Sequence, residues 1–152
     1  MALFRRRFRG RTDICPVRWE SKTTGKSGYA PARANEWRAG QCEKPRIKCG
    51  DCRNRSLTSP SDAAIYAHLA GDHTIGVPPL LDDDNCRFLA IDFDEAEWRD
   101  DVRAIADSCT DLGVPVAIET SRSGNGTRAW NFFAERVSAR DARRMGAVGR
   151  RQ

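Results

Sequence analysis

No stretch of this 152-residue sequence approaches the ~20 consecutive apolar residues of a bilayer-spanning helix, which excludes a helical membrane span. The opening MALFRRRFRGR is basic but has no apolar core, so it does not read as a secretory signal. There is no internal repeat, which excludes a repeat architecture. Histidine is scarce: His68 falls on the flank of a short helix and His73 in a loop, and neither setting marks an acid–base group. Sustained periodicity is missing from residues 1–60, which are rich in Gly, Pro, Arg and Lys with isolated Trp19 and Trp37. A segment this long without regular structure needs something to hold it.

Cysteine supplies a candidate. Of six cysteines, Cys42, Cys49 and Cys52 cluster, while Cys15, Cys86 and Cys109 are scattered. Without a secretory signal the expected compartment is reducing, which favours metal binding or free thiols over disulfides. CEKPRIKCGDC reads Cys42-x₆-Cys49-x₂-Cys52: the CxxC half has a zinc-knuckle spacing, and Cys42 is a candidate third thiolate. A closed zinc site needs a fourth ligand. His68, His73, Cys15 and Cys86 are all candidates, and unliganded thiols in a loop are the alternative.

Charge is the other strong signal. The net charge is +5, and the excess crowds the ends: Arg5, Arg6, Arg7, Arg9 and Arg11 at one, Arg136, Arg140, Arg143, Arg144, Arg150 and Arg151 at the other. Such ends either contact a polyanion, most simply nucleic acid, or serve only as solvated surface. Lys44, Arg46, Lys48, Arg53 and Arg55 around the cysteines could likewise touch a phosphate backbone.

Regular structure is expected from residue 61 onward. SDAAIYAHLA (61–70) reads as a helix capped by Ser61 or Asp62 and ended by Gly71. TIGVPPLL (74–81) is at best an edge strand, given Pro78 and Pro79, and DDDN (82–85) is a turn. CRFLAIDFD (86–94) reads as a strand with Phe88, Ala90 and Asp92 on one face and Leu89, Ile91 and Phe93 on the other. A helix follows over 95–113, with Trp98, Val102, Ile105, Cys109 and Leu112 as its apolar stripe. VPVAIET (114–120) and RAWNFFAE (128–135) are two more strands, and a helix capped by Ser138 starts at SARDARRMGAVG. The expected fold is α+β: a partial RRM-like or ferredoxin-like βαββα unit, preceded by an irregular N-terminal region with a zinc-knuckle-like segment. The expected division is 1–60 and 61–152.

IDFDE is the chemical centre. Alternation puts Asp92 and Asp94 on one face at a strand end, where two carboxylates repel unless a cation lies between them. Mg²⁺ or Mn²⁺ binds in this way, together with nucleotide phosphates; acids simply facing water are the alternative. Glu95 can instead serve the first turn of the helix. SRSGNG offers Ser121, Arg122, Ser123, Gly124, Asn125 and Gly126. Its glycines permit an anion-binding nest, and Asn-Gly equally marks an ordinary hairpin. Arg128 is the first large side chain beyond it.

Together, GYAPARANEW, CEKPRIKCGDC, LAIDFDEAEWRDD and SRSGNGTRAWNFF resemble the archaeo-eukaryotic primase domain of TOTE conflict systems, in order from about Phe8 to the C-terminus. The resemblance implies a metal-dependent nucleotidyltransferase of the primase-polymerase type in a prokaryotic anti-invader system. Asp92 and Asp94 would hold Mg²⁺ or Mn²⁺. Ser121–Gly126 would bind nucleotide. Cys42, Cys49 and Cys52 would bind Zn²⁺. The implied partners are template or primer nucleic acid, nucleoside triphosphates, and helicase and nuclease components, without a membrane, in the cytoplasm.

Two positions depart from the family pattern. Arg128 stands where the second motif carries a histidine, and Arg33 where a cysteine commonly sits. The third acidic motif has no counterpart before Gln152, and neither does the fourth strand of the split unit. The expectation is therefore an incomplete, inactive piece of a catalytic domain. The alternative is a nucleic-acid-binding module without catalysis.

Overall fold

The computed structural model describes residues 1–148 apart from Cys49 and Arg122, with Val148 by its backbone alone. Its elements run α1 (Ala2–Arg7), β1 (Pro16–Glu20), β2 (Ser27–Pro31), α2 (Asp62–Ala70), β3 (Asn85–Phe93), α3 (Trp98–Asp111), β4 (Ala117–Thr120), β5 (Thr127–Ser138) and α4 (Ala139–Val148). The chain is α+β. Its contacts divide it into two units: Met1 with Arg11–Pro78, and Ala2–Gly10 with the chain from Pro79 onward.

In the first unit β1 and β2 form an antiparallel hairpin, from Pro16 opposite Pro31 to Glu20 opposite Ser27. Residues 1–60 are thus less irregular than their composition implies, holding α1 and this hairpin. The hairpin escapes notice because its strands are short: the alternation in β1 lasts only from Val17 to Glu20, and β2, Ser-Gly-Tyr-Ala-Pro, has none. Gly28 leaves room for Trp19, whose ring packs over it. The expected strand over 74–81 is reduced to a single bridge, Ile75 to Val17, consistent with the two prolines that follow. α2 keeps its expected caps: the Ser61 hydroxyl accepts from the Ala64 N–H at 3.1 Å, and Gly71 closes the helix in the left-handed conformation at φ 87°. The Cys-rich segment is an excursion closed at its base, where Ala34 N–H bonds Ser56 O at 3.0 Å and Thr58 N–H bonds Ala32 O at 3.1 Å.

In the second unit β3, β5 and β4 form an antiparallel sheet in that order, with β5 central. Alternation assigns its two faces. Ile91, Phe93 and Ala129 pack against Ile105 of α3, with Leu89, Trp98, Val102, Cys109 and Val116 around them. α4 approaches the same face at Gly146, where a Cβ would stand 3.2 Å from the Leu89 side chain. α3 begins at Trp98, three residues later than the periodicity implies, because Glu95–Trp98 is a turn closed by the Trp98 N–H to Glu95 O bond at 3.2 Å. Leu112 also leaves the expected stripe: it caps the helix from outside and is 71% exposed. β5 runs on to Ser138, because Val137 and Ser138 pair with Cys86 and Asn85 beyond a bulge in the ladder.

The opposite face of the sheet carries Phe88, Trp130 and Phe132. Phe8, just after α1, meets all three rings edge-on or nearly so at centroid distances of 5.2 to 6.1 Å. That contact explains a helix over six residues, a length too short to hold itself.

Candidate functional site

The site grows from the register of the sheet. Asp92 on β3 lies opposite Arg128 on β5, and Arg128 lies opposite Glu119 on β4. The three side chains therefore form one transverse row on the face away from α3. Arg128 Nε donates to Asp92 Oδ1 at 3.1 Å and Nη2 to Asp92 Oδ2 at 3.4 Å. Glu119 is held from the other side: Trp130 Nε1 donates to its Oε2 at 2.8 Å. Thr127 is buried, and its hydroxyl donates to the Glu119 carbonyl at 2.8 Å, locking β4 to β5 at the mouth of the loop.

The loop itself is a hairpin tip. Ser121 N–H bonds Gly126 O at 2.9 Å, and Gly124 N–H bonds Ser121 O at 2.9 Å. The Ser121 and Ser123 hydroxyls are 3.1 Å apart, and Ser123 Oγ accepts from Asn125 N–H at 3.3 Å. Gly124 has φ 73°, the left-handed conformation that glycine adopts freely. Arg122 lies outside the described residues. Gly126 comes so close to the end of β3 that a Cβ there would be 2.9 Å from the Phe93 carbonyl oxygen and 3.5 Å from the Asp94 Cα. The fold thus brings Asp92, Asp94, the loop and Arg128 to one end of one sheet. Glu119 completes the row, and Trp130 holds it from the neighbouring row between Ala90 and Ala117; neither was singled out from the sequence. Counting outward from Asn125–Gly126 as a two-residue turn would have set Ser123 opposite Arg128; Glu119 stands there because the loop spans Ser121–Gly126.

The cysteine segment lies in the other unit. Cys42 and Cys52 are free, half-buried, and line one small cavity together with Arg33; Cys49 lies outside the described residues. Arg33 is only 7% exposed and pairs with Glu36 at 3.6 Å, and Lys44 reaches the same Glu36 oxygen. Cys15 and Cys86 are buried within their own units, and burial raises both thiol pKa values, which disfavours the thiolate a metal needs. Among the described residues no three His, Cys, Asp or Glu side chains gather at metal-holding distance.

The family described as the TOTE conflict system Archaeo-Eukaryotic Primase domain matches residues 1–149. The chain belongs to this family. It is a primase-type domain of a conflict system, and membership implies interaction with nucleic acid and nucleoside triphosphates. No curated protein matches it. No helix among the described residues of this primase-type domain is long and apolar enough to cross a membrane.

Proposed function

We propose that this domain binds the phosphates of a nucleoside triphosphate at the β3–β5–β4 sheet end, through Arg128 and the Ser121–Gly126 loop. We propose further that the isolated chain does not catalyse nucleotidyl transfer. The observation that carries this reading is the two-nitrogen contact of Arg128 with Asp92. Arginine is permanently charged and forks onto carboxylates and phosphates alike. Asp92 holds the guanidinium in place until a phosphate competes for it.

The same contact bears on the metal. Asp92 and Asp94 are the residues that would hold Mg²⁺ or Mn²⁺, which would screen phosphate charge. With Arg128 on Asp92, they do not form a free carboxylate pair. Two unit charges ~4 Å apart interact by about 1 kcal/mol in water, so a dication beside the guanidinium meets about twice that repulsion. The residues as arranged do not fit the ion, and no step is derived through it. For zinc, Cys42, Cys49 and Cys52 would be the thiolates. The buried Arg33 beside two of them is a poor neighbour for a dication, so the described residues do not fit a closed four-ligand site.

Several features support the wider reading. The order β3–α3–β4–β5–α4 with β5 central matches the βαββα part of a ferredoxin-like split unit. The division into a basic 1–60 region and a catalytic-type 61–152 region belongs to the same reading, as do anti-invader defence and helicase and nuclease companions. Gly126 favours a second reading, an active nucleotidyltransferase, because it seats the nucleotide loop against Asp94.

Calorimetry with dGTP, with and without Mn²⁺, separates the two. Metal-independent binding that Arg128→Ala abolishes and Asp92→Ala preserves supports phosphate binding without catalysis. Binding that requires Mn²⁺ and is lost in Asp92→Ala supports the active enzyme. The absence of dGTP binding under either condition overturns both.

A further inference from the structure

Trp37 stands where a tryptophan is least expected. It occupies the third position of a turn closed by the Arg38 N–H to Asn35 O bond at 3.2 Å. Its φ is 62°, the left-handed region in which glycine or asparagine is the ordinary choice. A bulky side chain there is strained, and such strain gathers at ligand-binding positions. The strain gains no burial in return, since Trp37 is 68% exposed. Lys44 Nζ lies 5.2 Å from its ring centroid, a cation on the indole.

The surroundings are polar and basic. Asn35 and Arg38, which flank Trp37, line an open groove of about 380 Å³ with Gln41, Asn54 and Ser56. Its walls are tied together by side-chain amides: Asn35 Nδ2 donates to Asn54 O, Asn35 Oδ1 accepts from Ser56 N–H at 3.3 Å, and Asn54 Nδ2 donates to Gln41 O at 3.4 Å. Residues 33–55 hold seven Lys and Arg against three acids. A fixed, exposed indole beside an amide-lined groove on a basic segment suits one ligand class. Bases stack on aromatic rings whatever their identity, and the basic groups follow the backbone.

We propose that Trp37 is a stacking platform for an unpaired base of single-stranded nucleic acid, with Arg38 contacting the adjoining phosphate. This site lies wholly within the first unit and is separate from Arg128, so dGTP binding and strand binding can fail independently. A duplex keeps its bases stacked on each other and offers the indole little.

The test is fluorescence anisotropy of the full chain with a short labelled oligodeoxythymidine and with a duplex of equal length, over a range of salt. Trp37→Ala is expected to weaken single-strand binding about tenfold while leaving the salt slope intact. Trp37→Phe is expected to restore most of the affinity. Arg38→Ala is expected to lower the salt slope by about one. Trp37→Gly guards against misreading a folding defect. It relieves the left-handed strain, so its melting temperature rises while its single-strand affinity falls as in Trp37→Ala. Unchanged oligodeoxythymidine affinity in Trp37→Ala and Trp37→Gly overturns the proposal and leaves the indole to a protein partner. An equal loss for duplex also overturns it.

Discussion

A Cβ added to Gly126 would come within 2.9 Å of the Phe93 carbonyl oxygen. The loop between β4 and β5 and the end of β3 therefore meet backbone to backbone, with no room for a side chain. The neighbouring atom is main chain in a buried ladder and cannot swing aside. Gly126→Ala should cost about 1–3 kcal/mol of stability, the range for overpacking. It should also push the loop away from Asp94 and weaken dGTP binding. Urea unfolding and calorimetry on the same variant check both. A variant as stable as the parent would mean that the contact is slack.

The Asp92–Arg128 pair is partly exposed, at 58% and 47% for the two side chains. Solvent screens such a pair, and exposed ion pairs couple by about 0.2–1 kcal/mol. A double-mutant cycle with Asp92→Ala and Arg128→Ala should give a coupling in that range, shrinking as salt is added. The pair is therefore a weak latch, which suits release of Arg128 from Asp92 to a phosphate. A coupling of several kcal/mol would contradict displacement by a ligand.

Ile105 and Leu112 lie on the same apolar stripe of the sequence, yet they should respond very differently. Ile105 is 3% exposed in the core against Ile91, Phe93 and Ala129. Ile105→Ala should lose about 2–5 kcal/mol. Leu112→Ala, beyond the end of α3, should change stability by less than about 0.5 kcal/mol. Thermal or urea unfolding of the two variants decides the matter.

Acid should weaken the second unit through Asp141 and Asp83. The Ser138 hydroxyl donates to Asp141 at 2.7 Å, and this bond, with Arg140 and Arg144 nearby, holds the Asp141 carboxyl below its usual value. Asn85 and then Arg136 do the same for Asp83. A lowered folded-state pKa gives stability that is present above the unfolded value of about 4 and lost as pH falls through the folded one. The melting temperature should therefore fall below pH about 4. Asp141→Asn should flatten that limb and leave Asp83's share. An unchanged acid limb in the variant would remove Asp141 from the account.

Much of the second unit was legible because its signals are local. Alternation marked β3, periodicity marked α3, and Ser138 marked the start of α4 through hydrogen bonds within a turn, as Ser61 and Gly71 marked the ends of α2 in the first unit. A hairpin was signalled by Asn125–Gly126, but the turn is a longer loop, Ser121–Gly126, with Gly124 as its left-handed residue. The N-terminal elements were not legible, because α1 depends on Phe8 meeting rings more than 75 residues away in sequence, and because the alternation of β1 is only four residues long and β2 has none. Glu119 and its hydrogen-bond donor Trp130 were missed because both roles depend on the register between strands, which no single strand states.

By itself, the sequence determined the α+β class, the basic ends, the cysteine cluster and the shared strand face of Asp92 and Asp94, since each rests on residue type, short spacing or side-chain alternation. Only the tertiary structure decided which groups compensate each other. Antiparallel register set Arg128 between Asp92 and Glu119, and chain closure at Ala34–Ser56 brought Arg33 beside Cys42 and Cys52. A turn bond left Trp37 in a left-handed, exposed conformation. In each case a charge or ring met a partner that sequence distance alone does not specify.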